Sequence, residues 1–91
     1  MGMDMISQAI RDCMQVQIFS GNKAYQIAPH ILYATKENAV LVAGVDGGGV
    51  WRQFRIDEIS STSPTRQAFK RSPKFNAQSR DYHRVILVAE C

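Results

Sequence analysis

Trp51, Arg52 and Arg55 stand close together on Val50–Ile56, a segment that alternates as a strand does. By parity Trp51, Gln53 and Arg55 share one face, and Val50, Arg52, Phe54 and Ile56 share the other. An indole beside a guanidinium is the pairing that stacks bases and holds phosphates of single-stranded nucleic acid. If Phe54 and Ile56 point to a core, Arg52 lies on the core side. There it must reach a carboxylate, a carbonyl, a water-filled mouth or a ligand, because an unpaired charge away from water is costly. The structural alternative is that Trp51 packs under a helix, with the aliphatic stem of Arg55 laid over it. A second group of cations, Lys70-Arg71-Ser72-Pro73-Lys74, lies between Phe69 and Phe75. It fits contact with nucleic acid or another anion, and equally a solvated loop anchored by the two rings.

Other chemistries lack their residues. No Ser-His-Asp, Cys-His or paired-carboxylate arrangement is present, and the adjacent Asp57 and Glu58 would diverge in a strand. His30 and His83 read as surface or packing histidines, so the chain is expected not to be an enzyme. No Cys/His spacing suits a metal, and no cofactor is expected. Gly47-Gly48-Gly49 is not followed by Lys-Ser/Thr and so reads as a hairpin tip rather than a phosphate-binding loop. The N-terminal residues show no signal-peptide or myristoylation pattern, and no apolar run approaches the ~20 residues that cross a bilayer. A cytoplasmic protein with no membrane partner is expected, its Cys13 and Cys91 reduced by default, with a disulfide as the alternative. The net charge is +3, distributed as −1 over residues 1–50 and +4 over residues 51–91. That asymmetry suits a polyanionic partner and is also common in ordinary domains.

Positioning these residues requires a small fold. The 91 residues suffice for one domain with a modest core. Met3–Met14 places Ile6, Ile10, Cys13 and Met14 at helical spacing, with Asp4 or Ser7 as N-cap. Packing on a sheet is its simplest use; docking to a partner is the alternative. Gln15–Ser20 alternates as a strand and turns at Ser20-Gly21-Asn22 into Lys23–Lys36. Pro29 in that return segment marks an edge or a bulge where the strand bends. Val40–Val45 is almost wholly apolar, which predicts burial on both faces or a central position. Asp57–Ile59 is a single turn, Ser60–Thr65 an edge strand or extended connector, and Val85–Ala89 a last strand pairing with the first. The predicted fold is mainly β: one N-terminal helix (about 3–14), a barrel of five to six strands (about 15–65), and a basic extension with the last strand (66–91).

Tyr25-x-Ile27-x-Pro29-His30-x-Leu32, Asn38-Ala39-Val40-Leu41-Val42-Ala43 and Trp51-Arg52-x-Phe54-Arg55-Ile56-Asp57-x-Ile59 resemble, in this order, a WYL domain. The likeness covers roughly Val16–Thr65, with Ala39-Val40-Leu41 in place of the Trp-Tyr-Leu signature. It implies an Sm-like or SH3-like β-barrel, a fold that in bacterial transcription regulators follows a DNA-binding winged helix and senses effectors. It implies nucleotide-like or nucleic-acid ligands, and places Arg52 in the ligand groove with Tyr25 and His30 as neighbours. The combined expectation is a module that binds a nucleotide or single-stranded nucleic acid, with Arg52 and Arg55 supplying charge and Trp51 stacking. The alternative is a protein-interaction or homo-oligomerisation module that pairs through its sheet edges, at the bent strand around Pro29 or at the last strand.

Overall fold

A long second strand, bent at its middle, holds the architecture together. The computed structural model describes residues 2–79 and 82–91. In chain order the elements are helix α1 (Gly2–Asp12), β1 (Met14–Ser20), β2 (Lys23–Ala34), β3 (Val40–Asp46), β4 (Trp51–Arg55), a 3-10 turn (Ile56–Glu58), β5 (Ile59–Ala68) and β6 (Arg84–Val88). The strands form one antiparallel six-stranded sheet in the order β4-β3-β2-β1-β5, with β6 also on β2. This is the mainly β class expected, with β4 and β5 at the two ends of a sheet that is not closed.

Helix α1 forms because Ile6, Ala9 and Ile10 recur on one stripe and bury it against the sheet, each at most 7% exposed. It starts at Gly2, so Asp4 lies in its first turn, complementing the helix dipole, and neither Asp4 nor Ser7 is the cap. Cys13 adopts a left-handed φ of 55°, which ends the helix and turns the chain into β1. Gly21, at φ 62°, supplies the same conformation in the hairpin between β1 and β2.

The first part of β2 pairs with β1, from Ser20↔Lys23 to Val16↔Ile27. Its last part pairs on that side with β6, from Ile31↔Val88 to Ala34↔Arg84. Pro29 falls in the gap between them, where its missing N–H breaks no ladder bond. On the other edge of β2 the pairing with β3 slips between Pro29 and Ile31, the bulge expected at this proline. The expected pairing of the last strand with the first is corrected: β1 is flanked on both sides, by β2 and by β5, so β6 continues along β2 beyond the end of β1.

The Ser/Thr-rich run is the edge strand of the two expected readings, extended to ten residues. Its hydroxyls brace the first strand: Thr65 Oγ1 donates to the Gln15 carbonyl at 2.6 Å and Ser60 Oγ to Phe19 at 2.9 Å. Strand β3 is central, and both of its faces are covered. Val42 joins Ile6, Ile10, Val16, Ile18, Ile27 and Leu32 under α1, whereas Ala43 packs with Ile31 and Tyr33 on the opposite face. There the cover is the segment after β5, through Phe75, Ala77 and Tyr82.

The cysteines are also corrected. A disulfide joins Cys13, where α1 ends, to Cys91, with their Cα atoms 6.1 Å apart. Their separation of 78 positions hid the approach from the sequence; the fold creates it by bringing the segment after β6 back to the start of β1. Among the described residues no helix is long and apolar enough to cross a membrane.

Candidate ligand-binding site

The two faces of β4 lead to two different environments. On one, Arg52 and Phe54 meet Tyr25 of β2. The Tyr25 and Phe54 rings lie 5.0 Å apart at 56°, and the Arg52 guanidinium lies 5.2 Å from the Tyr25 ring centroid. Arg52 Nε donates to Asp46 Oδ2 across the β3–β4 hairpin. The charge that had to find a partner therefore finds a carboxylate, and at 42% side-chain exposure it also keeps contact with water. Asp46 is committed on its second oxygen too, where Oδ1 accepts the Gly48 and Val50 N–H groups at 2.8 and 3.0 Å. The Arg52 hydrogen bond, then the backbone donors, hold the Asp46 carboxyl below its usual range, and the same pair raises Arg52.

Arg55 stands four residues from Trp51, about 13 Å along the strand. It pairs with Asp57 at 3.2–3.3 Å, and that hydrogen bond raises its pKa. Its groove, of about 640 Å³, is lined by Thr35, Asn38, Leu41 and Ile56, away from Trp51.

The other face of β4 carries Trp51 over the bulge of β2. His30 is the residue that the register slip leaves without a partner on β3, and its ring is the centre of an aromatic cluster. Phe69 stacks on it at 5.2 Å and 28°, while Trp51 and Phe75 meet it edge-on at 5.5 and 5.3 Å. Phe75 in turn stacks on Trp51, with centroids 5.6 Å apart and planes at 26°, so the ring covering the indole comes from the C-terminal segment rather than from a helix. The Arg71 guanidinium lies 5.0 Å over Phe75 and also donates to the Ala89 carbonyl at 3.3 Å.

His30 is 1% exposed and both of its nitrogens are used. Nε2 accepts the Ser72 N–H at 2.9 Å, which leaves Nδ1 to donate to the Ala28 carbonyl at 2.7 Å. The neutral ring with its proton on Nδ1 satisfies both bonds; a proton on Nε2 would set two donors against each other. Burial lowers the His30 pKa most, and Arg71 adds to that, against the opposing pull of the Ala28 carbonyl. The unfolded chain thus takes up this proton at about pH 6.5, the folded chain only at lower pH. Between those values the unfolded state binds more protons, so stability falls as pH drops and is fully present above the unfolded value. In urea titrations the unfolding midpoint is expected to decline as pH falls from about 7.5 towards 5, with His30→Gln removing part of that slope. An unchanged slope in the variant would show that His30 does not carry the dependence.

Two grooves open beside this cluster. One, of about 320 Å³, is lined by Trp51, Ser72, Lys74, Phe75, Asn76, Ser79 and Tyr82. The other, of about 550 Å³, runs past Gln15, Val45, Asp46 and the Gly47–Gly49 tip to Lys70, Ser72 and Lys74, with His30 in its wall. The five residues singled out from the sequence therefore divide: Tyr25 joins Arg52, His30 joins Trp51, and Arg55 stands apart. Phe75, Lys74 and Tyr82 are brought to Trp51 by tertiary contacts, of which the sequence signals only the spacing of Phe69 and Phe75 around the basic loop and a loose WYL-like echo in Phe69, Phe75 and Tyr82. Among the described residues no group of three or more His, Cys, Asp or Glu side chains could hold a metal ion.

No protein-family model matches the sequence, and no curated protein matches it. Among solved structures, proteasome accessory factor B/C (PafBC) of Arthrobacter aurescens is similar in fold, with a TM-score of 0.72 at 19% identity. The likeness covers 82% of this chain and 13% of that one, so the chain corresponds in fold to a small part of the larger protein.

Proposed function

We propose that this chain is a non-catalytic regulatory module that binds an anionic ligand with a planar ring system, such as a nucleotide or single-stranded nucleic acid. The observation that carries the reading is the partly exposed Trp51, stacked on Phe75 at the mouth of a groove that also offers Lys74 and Asn76. Base stacking on an aromatic side chain is worth ~1–3 kcal/mol and tolerates any base. The resemblance to WYL domains and the fold shared with a segment of PafBC support a regulatory setting. Arg52 and Arg55 are less available than the sequence suggests, since a phosphate would compete with Asp46 for one and Asp57 for the other.

Trp51 is the one tryptophan, so its emission reports on the site alone. Titration with nucleotides and mixed single-stranded oligonucleotides is expected to quench it at low salt, and binding should weaken as salt rises. Trp51→Ala, followed by calorimetry, should lower affinity about tenfold or more. Neither quenching nor heat at low salt would remove the reading.

A second reading, an interaction module working through a strand edge, is favoured by Val85 and Ile86 of β6, each 42% exposed. A strictly monomeric mass by light scattering at high concentration would count against homo-oligomerisation.

A further inference from the structure

The grooves on either side of Lys74 have complementary chemistry and share part of their wall. Ser72 and Lys74 line both, so the aromatic groove of Trp51 continues past them into the groove that holds Lys70. We propose that the basic loop 70–74 forms a phosphate subsite in that second groove, with Lys70 and Lys74 as its cations, placed to take the phosphate of a nucleotide whose base lies on Trp51. This rests on the reading of the Trp51 groove given above, and it assigns the charge to a different pair of residues from Arg52 and Arg55.

Four observations lead there. Arg52 and Arg55 each hold a carboxylate, and Arg71 is engaged by Phe75 and the Ala89 carbonyl. Among the described residues Lys70 and Lys74 form neither of the ion pairs and remain exposed, so their ammonium groups are the groove's cations open to a ligand. Among the described residues the one carboxylate in the groove wall is Asp46, which is compensated by Arg52 and two backbone donors, so the described lining is net positive. The loop itself is held in place: Ser72 N–H is fixed on His30 Nε2, and Lys74 N–H donates to Ser72 Oγ at 3.3 Å. Lys70 and Lys74 both line the one groove beside this turn.

The phosphate could belong to a free mononucleotide or to a single-stranded chain, and the two share this chemistry. Calorimetric titrations at low salt with adenosine, adenosine 5′-monophosphate and a short oligodeoxyadenylate separate the cases. The monophosphate is expected to bind about tenfold more tightly than adenosine. In Lys70→Ala/Lys74→Ala, checked for folding by circular dichroism, that gap should close; in Lys70→Ala alone, which lies outside the Trp51 groove, it should narrow while adenosine affinity stays unchanged. Tighter binding of the oligonucleotide than of the monophosphate would assign the subsite to a strand phosphate, and the reverse order to a free nucleotide; both support it. Equal affinity for adenosine and its monophosphate, or a gap that survives the double substitution, would overturn the subsite while leaving the Trp51 groove standing. Absence of binding by all three probes overturns both.

Discussion

Replacing both Cys13 and Cys91 by serine is expected to lower the thermal unfolding midpoint by about 20 °C. The disulfide spans 78 residues, nearly the whole chain. Closing a loop of that length removes entropy from the unfolded state worth about 4.5 kcal/mol in the chain-entropy treatment. That is a large part of the ~5–15 kcal/mol that holds a small domain together. The consequence extends to the candidate site through backbone bonds at both ends of the link. The Cys13 carbonyl accepts the Phe69 N–H at 2.8 Å, and the Cys91 carbonyl accepts the Arg71 N–H at 3.4 Å. Phe69 stacks on His30 and Arg71 lies over Phe75, so these two bonds fix the rings around Trp51. Scanning calorimetry of the oxidised protein, the dithiothreitol-reduced protein and the double variant provides the measurement. Trp51 should also become more accessible to acrylamide in the last two. A midpoint shift below about 5 °C on verified reduction would show that the link contributes little.

The second large effect is expected at Gly44. Strand β3 passes so close to β2 at the bulge that a Cβ on Gly44 would overlap the Ala28 carbonyl oxygen and lie 2.8 Å from its carbon and 2.9 Å from the Pro29 Cα. Every obstructing atom is backbone, so no rotamer change relieves the clash; β2 and β3 would have to separate where Pro29 faces Gly44. Overpacking of this kind costs about 1–3 kcal/mol, and backbone obstruction places Gly44→Ala at the upper end. Because the bulge presents His30 to Trp51, the substitution should also shift the tryptophan emission of the folded state. Gly21→Ala is the control: it lacks any close neighbour, and only its positive φ is disturbed. Equal urea midpoints for Gly44→Ala and the wild type would refute the close approach.

Much of the framework is visible in local pattern. The period of Ile6 and Ile10, the alternation around Trp51, the glycine turns and the apolar run of β3 each depend on residues near in sequence. They placed the helix, the hairpins and the central strand within a residue or two. Pro29 signalled its bulge because a residue without an N–H has few positions in a sheet. The Ser/Thr run of β5 read equally well as a connector, since its strand character depends on bonds to β1. The pairing of β6 was misread because an apolar run shows burial without showing which edge it meets.

The site divides along the same line. From sequence alone, Arg52 and Trp51 belong to opposite faces, and Arg52 needs a partner wherever it is covered; both follow from strand parity and the cost of an unpaired charge. Only the tertiary structure decided that the partner is Asp46, that His30 is held neutral under Trp51, and that Phe75 and Lys74 complete the groove. Cys13 reaching Cys91 was settled at the same level. These are contacts between residues far apart in the chain, fixed by how the C-terminal segment folds over the sheet, and no local periodicity carries that information.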